Sequence, residues 1–155
     1  MEKGGKTYID IVAYCLMPNH FHLLVKQNVN LGITKFLGDF QNSYVKFFNL
    51  RNDRVGPLFQ GRFKAVNIIS DEQLLHVSRY IHLNPSSSNI VRIDRLTNYK
   101  WSSLPEYLNK LNFNFCQKET ILNNFKNIDK YKEFVFDNAE YQQGLKKIEY
   151  LKLEG

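Results

Sequence analysis

The chain has 155 residues, 43% hydrophobic and 23% charged, which is enough to bury a real core and unlike a disordered segment. Its net charge of +6 suits a polyanionic partner, although a protein that is merely basic carries the same sign. No apolar run approaches the ~20 residues of a spanning helix, and Cys15 and Cys116, far apart with no secretory leader, fit a reduced, cytoplasmic setting.

Residues 8–16 alternate or run apolar (Ile9, Ile11, Val12, Tyr14) and read as a strand. Pro18-Asn19 is turn chemistry, and residues 20–26 read as a second strand, which makes a hairpin. On that strand His20 and His22 project from one face, while Phe21 is expected to enter the core. Two imidazoles facing one way can share a divalent ion, and a nucleophile opposite them would complete a phosphoryl-transfer site. Plain polar strand residues fit the same spacing, so both readings stay open at this point.

From Ile33, apolar residues at Phe36, Leu37, Phe40, Tyr44, Phe47 and Phe48 keep helical spacing over four turns, with Asn30 as the expected cap. Residues 56–69, broken by Gly61, are expected to form one or two strands. Phe63, Ala65 and Asn67 would face one way there, and Arg62, Lys64 and Val66 the other.

Ser70-Asp71-Glu72-Gln73 is a capping-box pattern opening a helix expected to stop just before Pro85. On it Gln73, His76, Tyr80 and Asn84 share one stripe, and Leu74, Val77 and Ile81 suit the core. His82, about 200° around the helix from Tyr80, points away from any site that Tyr80 serves. A phenol and an amide one turn apart could act as nucleophile and metal ligand, although an ordinary half-buried tyrosine fits as well. Beyond residues 99–103 come two weaker helical patterns, one from Ile121 to Val135 and one over residues 140–153. Neither repeats nor a linker point to a second domain.

Four blocks carry a resemblance. They are Tyr14 to Val25 around Asn19-His20-Phe21-His22, then Gly61-Arg62-Phe63-Lys64-Ala65, then Ser78-Arg79-Tyr80-Ile81-His82-Leu83-Asn84-Pro85, then Tyr99-Lys100-Trp101-Ser102-Ser103. Standing in that order, they resemble the insertion-sequence 200-like transposases, and among these the REP-associated tyrosine transposases. The resemblance implies that His20 and His22 are the histidine–hydrophobic–histidine metal motif, Asn84 the third ligand and Tyr80 the catalytic nucleophile. It implies Mg²⁺ or Mn²⁺ as cofactor, and a two-histidine site suits Mn²⁺ at least as well as the oxygen-preferring Mg²⁺.

The implied activity is that of an enzyme, a metal-dependent DNA transposase or endonuclease. It would cleave and rejoin single-stranded DNA at hairpins through a 5′-phosphotyrosine, with a free 3′-hydroxyl. The alternative is a catalytically inactive relic that still binds DNA hairpins. Single-stranded or hairpin DNA is then the partner, with no membrane involved, and a monomer or a homodimer with active sites built within or between chains stays open. Lys35, Lys46, Arg51, Arg54, Arg62, Lys64 and Arg79 are the candidate DNA contacts, and Phe59 or Phe63 could stack a base. For any one of them a solvated basic face or a core phenylalanine is the plainer reading.

The implied fold is α+β, an antiparallel sheet with helices on one face in the ferredoxin-like transposase arrangement. Residues 1–110 would form the transposase domain and residues 111–155 a helical extension of it. Relatives carry a strand and a helix ahead of the hairpin, and here the chain begins a few residues before it. The first strand and helix are therefore expected to be missing, leaving the His20 strand as an edge. A mis-set start, a remnant gene and rescue by a partner chain are the open explanations.

Overall fold

A computed structural model describes residues 7–137 and gives an α+β protein. The helix expected over residues 140–153 lies outside the described residues. Two strands, β1 (Ile9–Leu16) and β2 (Phe21–Gln27), form a two-stranded sheet. The Met17 N–H donates to the His20 carbonyl at 2.8 Å, closing the turn over Pro18-Asn19 as the sequence predicts. The chain divides into two compact units, residues 7–10 with 26–65 and residues 11–25 with 66–137.

In the first unit, helix α1 (Gly32–Arg51) follows the expected periodicity, but its cap is Leu31 rather than Asn30. Leu31 sits in the left-handed region at φ 57°, and the first-turn donor of Ile33 is met instead by Gln27 Oε1 at 3.2 Å. Gly32 is required here, because a Cβ would stand 2.3 Å from the Tyr8 carbonyl oxygen. Of the apolar stripe, Leu37 is buried, whereas Phe40, Tyr44 and Phe47 are exposed.

Residues 56–69 form no strand, contrary to the expectation from their alternation. Gly56 and Gly61 adopt φ of 93° and 69°, which breaks the extended path at the start of the run and within it. Alternation creates a strand only where a neighbour supplies the ladder, and the chain here is mostly exposed.

The second unit holds the main core, including Val12, Ala13, Leu24, Ile81, Leu104 and Tyr131. Helix α2 (Asp71–Ser87) starts where the capping box predicts, with Ser70 Oγ accepting the Gln73 N–H at 3.1 Å. It does not stop before Pro85. A proline so near the end removes one ladder bond only, and the Asn84 and Pro85 carbonyls still accept N–H groups from Ser88 and Ile90. Pro85 is itself buried.

A 3-10 turn (Ile93–Asn98) and three short helices, α3 (Leu104–Tyr107), α4 (Glu119–Leu122) and α5 (Ile128–Phe136), complete this unit. The single helix read from Ile121 to Val135 is thus two, because Asn127 caps α5 by accepting the Lys130 N–H. Helix α2 packs on α4, α5 and the 3-10 turn. Residues Trp101 to Ser103 lie along β1: the Leu16 N–H donates to the Trp101 carbonyl at 2.7 Å and the Ser103 N–H to the Tyr14 carbonyl at 3.0 Å. That segment covers one edge of the hairpin, and among the described residues β2 pairs with β1 alone.

Candidate active site

The strand β2 and the helix α2 each deliver one part of the site within the second unit. Along the face shared by His20, His22 and Leu24, burial deepens from exposed to half-buried to core, so the histidine pair stands at the rim of the core. Phe21 on the other face is half-buried and is not part of the core, contrary to expectation. A two-stranded sheet does not separate an inside from an outside face strictly, and here Leu24 fills the core from the histidines' own side.

The His20 and His22 ring centroids are 5.0 Å apart with the planes at 90°. Two imidazoles each about 2.1 Å from one ion at a tetrahedral or octahedral angle have centres about 5 Å apart, so this spacing fits a shared cation. Asn19 Oδ1 lies 2.7 Å from His20 Nδ1. An amide oxygen there accepts the Nδ1 proton, which puts the ring's lone pair on Nε2.

Tyr80, on the half-buried side of α2, brings its ring to 5.6 Å from that of His22, edge to face at 80°. The structure therefore assembles His20, His22 and Tyr80 in one place. Asn84, one turn further along, is 1% exposed, with Oδ1 accepting from Ser88 Oγ at 3.4 Å. Its amide is thereby tied to its own helix end. Among the described residues no three His, Cys, Asp or Glu side chains form a metal-binding group, so the histidine pair needs an amide, water or phosphate oxygen to complete a shell.

The basic candidates separate by environment. Lys46, Arg51, Arg62 and Lys64 are exposed, and Lys35 reaches over the Tyr8 ring at 5.9 Å. Arg54 donates to Asn49 Oδ1 and to the Pro57 carbonyl, both at 2.8 Å, and so fastens the end of α1 to the loop after it. Arg79 is buried, its guanidinium 4.4 Å from the Phe134 ring and 2.7 Å from His76 Nδ1. Phe59 is half-buried against Tyr44, and Phe63 is exposed.

The buried partners of His82 escaped the sequence reading. His82 is fully buried between Tyr131 Oη and Ser103 Oγ, each 2.7 Å from a ring nitrogen, and burial pushes its pKa down to about 3. The available signal was its place opposite Tyr80: an imidazole aimed inward needs a partner at each nitrogen.

The family described as Transposase IS200 like matches residues 2–84, more than half of the chain, a span that includes both histidines, Tyr80 and Asn84. The chain belongs to the IS200-like transposase family, whose class of activity is DNA transposition. No curated protein and no solved structure matches it. No helix among the described residues is long and apolar enough to cross a membrane.

Proposed function

We propose that the protein cleaves and rejoins single-stranded DNA at hairpins through Tyr80, in the manner of the REP-associated tyrosine transposases. The observation that carries this reading is the packing of the Tyr80 ring on His22, 5.6 Å between centroids, beside a histidine pair spaced for one cation.

In the proposed step Tyr80 Oη bonds to phosphorus while the bond from phosphorus to the 3′ oxygen breaks. The phenolic proton ends on the released 3′-hydroxyl, and the 5′ end stays on the enzyme. A phenol ordinarily titrates near 10, so the attack needs a strongly positive site and a fixed approach. Rejoining reverses the same exchange, which conserves the phosphodiester and needs no nucleotide. His20 and His22 would hold a divalent ion supplying charge stabilisation at the phosphate, with Asn84 as third donor through the Oδ1 lone pair that Ser88 does not use. The exposed Lys46, Arg51, Arg62 and Lys64 supply salt-sensitive contacts to the backbone.

The test is a labelled single-stranded hairpin incubated with the full chain and Mn²⁺. An SDS-resistant protein–DNA adduct is expected, and it disappears in Tyr80→Phe. Hairpin binding with no adduct at any Mn²⁺ concentration would overturn the enzymatic reading in favour of a DNA-binding relic.

A further inference from the structure

We propose that His82 is a positioning residue: through Ser103 it locks the helix that carries Tyr80 to the strand that leads into His20 and His22. The inference rests on the reading of Tyr80 as nucleophile, but it concerns the face of α2 that is buried in the core.

The argument starts from hydrogen-bond accounting. The Tyr14 N–H donates to Ser103 Oγ at 2.9 Å, which leaves that hydroxyl one proton to give. Its acceptors in range include His82 Nε2 at 2.7 Å and the Tyr14 carbonyl at 3.2 Å, and the Cys116 side chain bonds to it as well. On the far side of the imidazole, Nδ1 lies 2.7 Å from Tyr131 Oη, which in turn lies 3.4 Å from Ser78 Oγ. Ser78 gives its own proton to the Leu75 carbonyl at 2.8 Å.

One arrangement of protons keeps every contact, including the long one between Tyr131 and Ser78. Ser103 donates to Nε2, Nδ1–H donates to Tyr131, Tyr131 donates to Ser78, and Ser78 donates to Leu75. The opposite tautomer would make Tyr131 donate to His82, and then neither Tyr131 nor Ser78 has a proton for the other. Either tautomer keeps a bond of 2.7 Å at both ring nitrogens, so the tie from β1 into α2 does not depend on which nitrogen holds the proton.

Geometry makes this chain a lock on rotation. Tyr80 and His82 lie about 200° apart on the same helix, so any turn of α2 that moves one moves the other. Apolar packing around α2 is non-directional and would tolerate such a turn, whereas bonds of 2.7 Å at both ring nitrogens do not. At the other end, Ser103 holds the backbone of Tyr14, and β1 runs from there into the Met17–His20 turn. The back of the helix is thus tied to the hairpin whose front presents the histidines.

The experiment compares the full chain with Ser103→Ala, Ser103→Thr and His82→Phe. It reads the adduct-formation rate at saturating hairpin, hairpin affinity, the melting temperature, and the aromatic NMR resonances of His22 and Tyr80. Ser103→Ala is expected to slow adduct formation about tenfold or more with affinity unchanged. It should also shift the His22 and Tyr80 ring resonances in protein that is still folded. Ser103→Thr, which keeps the hydroxyl, restores both, and His82→Phe behaves like Ser103→Ala.

Unmoved His22 and Tyr80 resonances in folded Ser103→Ala would overturn the proposal, as would a rate that falls only in step with the folded fraction. Should His82→Phe fail to fold, the Ser103 pair decides alone. If no variant and not even the unaltered chain forms an adduct, while the resonances still respond to Ser103→Ala, the transposase reading fails and the positioning role stands.

Discussion

The Tyr80 ring meets the His22 ring edge to face, 5.6 Å between centroids, and His22 meets His20 the same way at 5.0 Å. His22 is thus the middle member of the three, touching the ring on either side, while His20 stands at the exposed end. The two histidines are therefore unequal, and their substitutions should differ.

His20→Ala and His22→Ala are each expected to lower hairpin cleavage by at least about 100-fold with hairpin affinity nearly unchanged, because the proposed phosphate contacts lie elsewhere. Raising Mn²⁺ should recover part of the activity in His20→Ala, which loses only a proposed ligand. In His22→Ala it should recover none, since Tyr80 has also lost the ring it packs against. Cleavage rates across a Mn²⁺ titration check this, and equal rescue of both variants would contradict it.

Arg79 and Lys46 should part company in the same way. Arg79 lies over Phe134 with its guanidinium on the Phe134 carbonyl and His76, so Arg79→Ala removes that packing and leaves two half-buried acceptors open, and is expected to cost about 1 kcal/mol of stability. Lys46 is exposed, so Lys46→Ala should leave the melting temperature in place, weaken hairpin binding and reduce the salt slope by about 1. Urea unfolding and binding at two or more salt concentrations separate the two. A weakened hairpin affinity in folded Arg79→Ala would place Arg79 on the DNA instead.

The buried thiols set an alkaline limit. Burial pushes both Cys15 and Cys116 up to about 12, with Glu106 adding to the effect at Cys116. At pH 8 the thiolate fraction of each is roughly a thousandfold below that of an ordinary thiol, so alkylation of the native protein should proceed only through unfolding. The folded chain keeps protons that the unfolded chain releases from about pH 9 upward, so stability should fall as pH rises from 9 towards 12 and be indifferent to these groups below pH 8. Urea midpoints against pH report the slope, and Cys15→Ala with Cys116→Ala should flatten part of it. Tyr14, Tyr99, Tyr107 and Tyr131, which burial also raises, contribute to the remainder.

Elements governed by neighbours a few residues away were legible from the residues alone. The hairpin, the long apolar periodicity of α1 and the Ser70 cap of α2 each depend on bonds within a turn or two. The strand expected over residues 56–69 was not, because a ladder partner is a property of the fold and two glycines with positive φ bend the run instead. The passage of α2 through Pro85 depends likewise on carbonyls being met by the Ser88 and Ile90 amides beyond it.

For the candidate site the division is similar. Local periodicity put His20 and His22 on one face and Tyr80 on the same stripe as Asn84, since side-chain direction follows from backbone repeat. What only the tertiary structure decided is that Tyr80 turns its ring to His22, that Asn84 is drawn into its own helix end, and that His82 is gripped from both sides by Ser103 and Tyr131. Those partners are separated from His82 by 21 and 49 residues, and contacts across such distances arise from how the core closes, which no short pattern encodes.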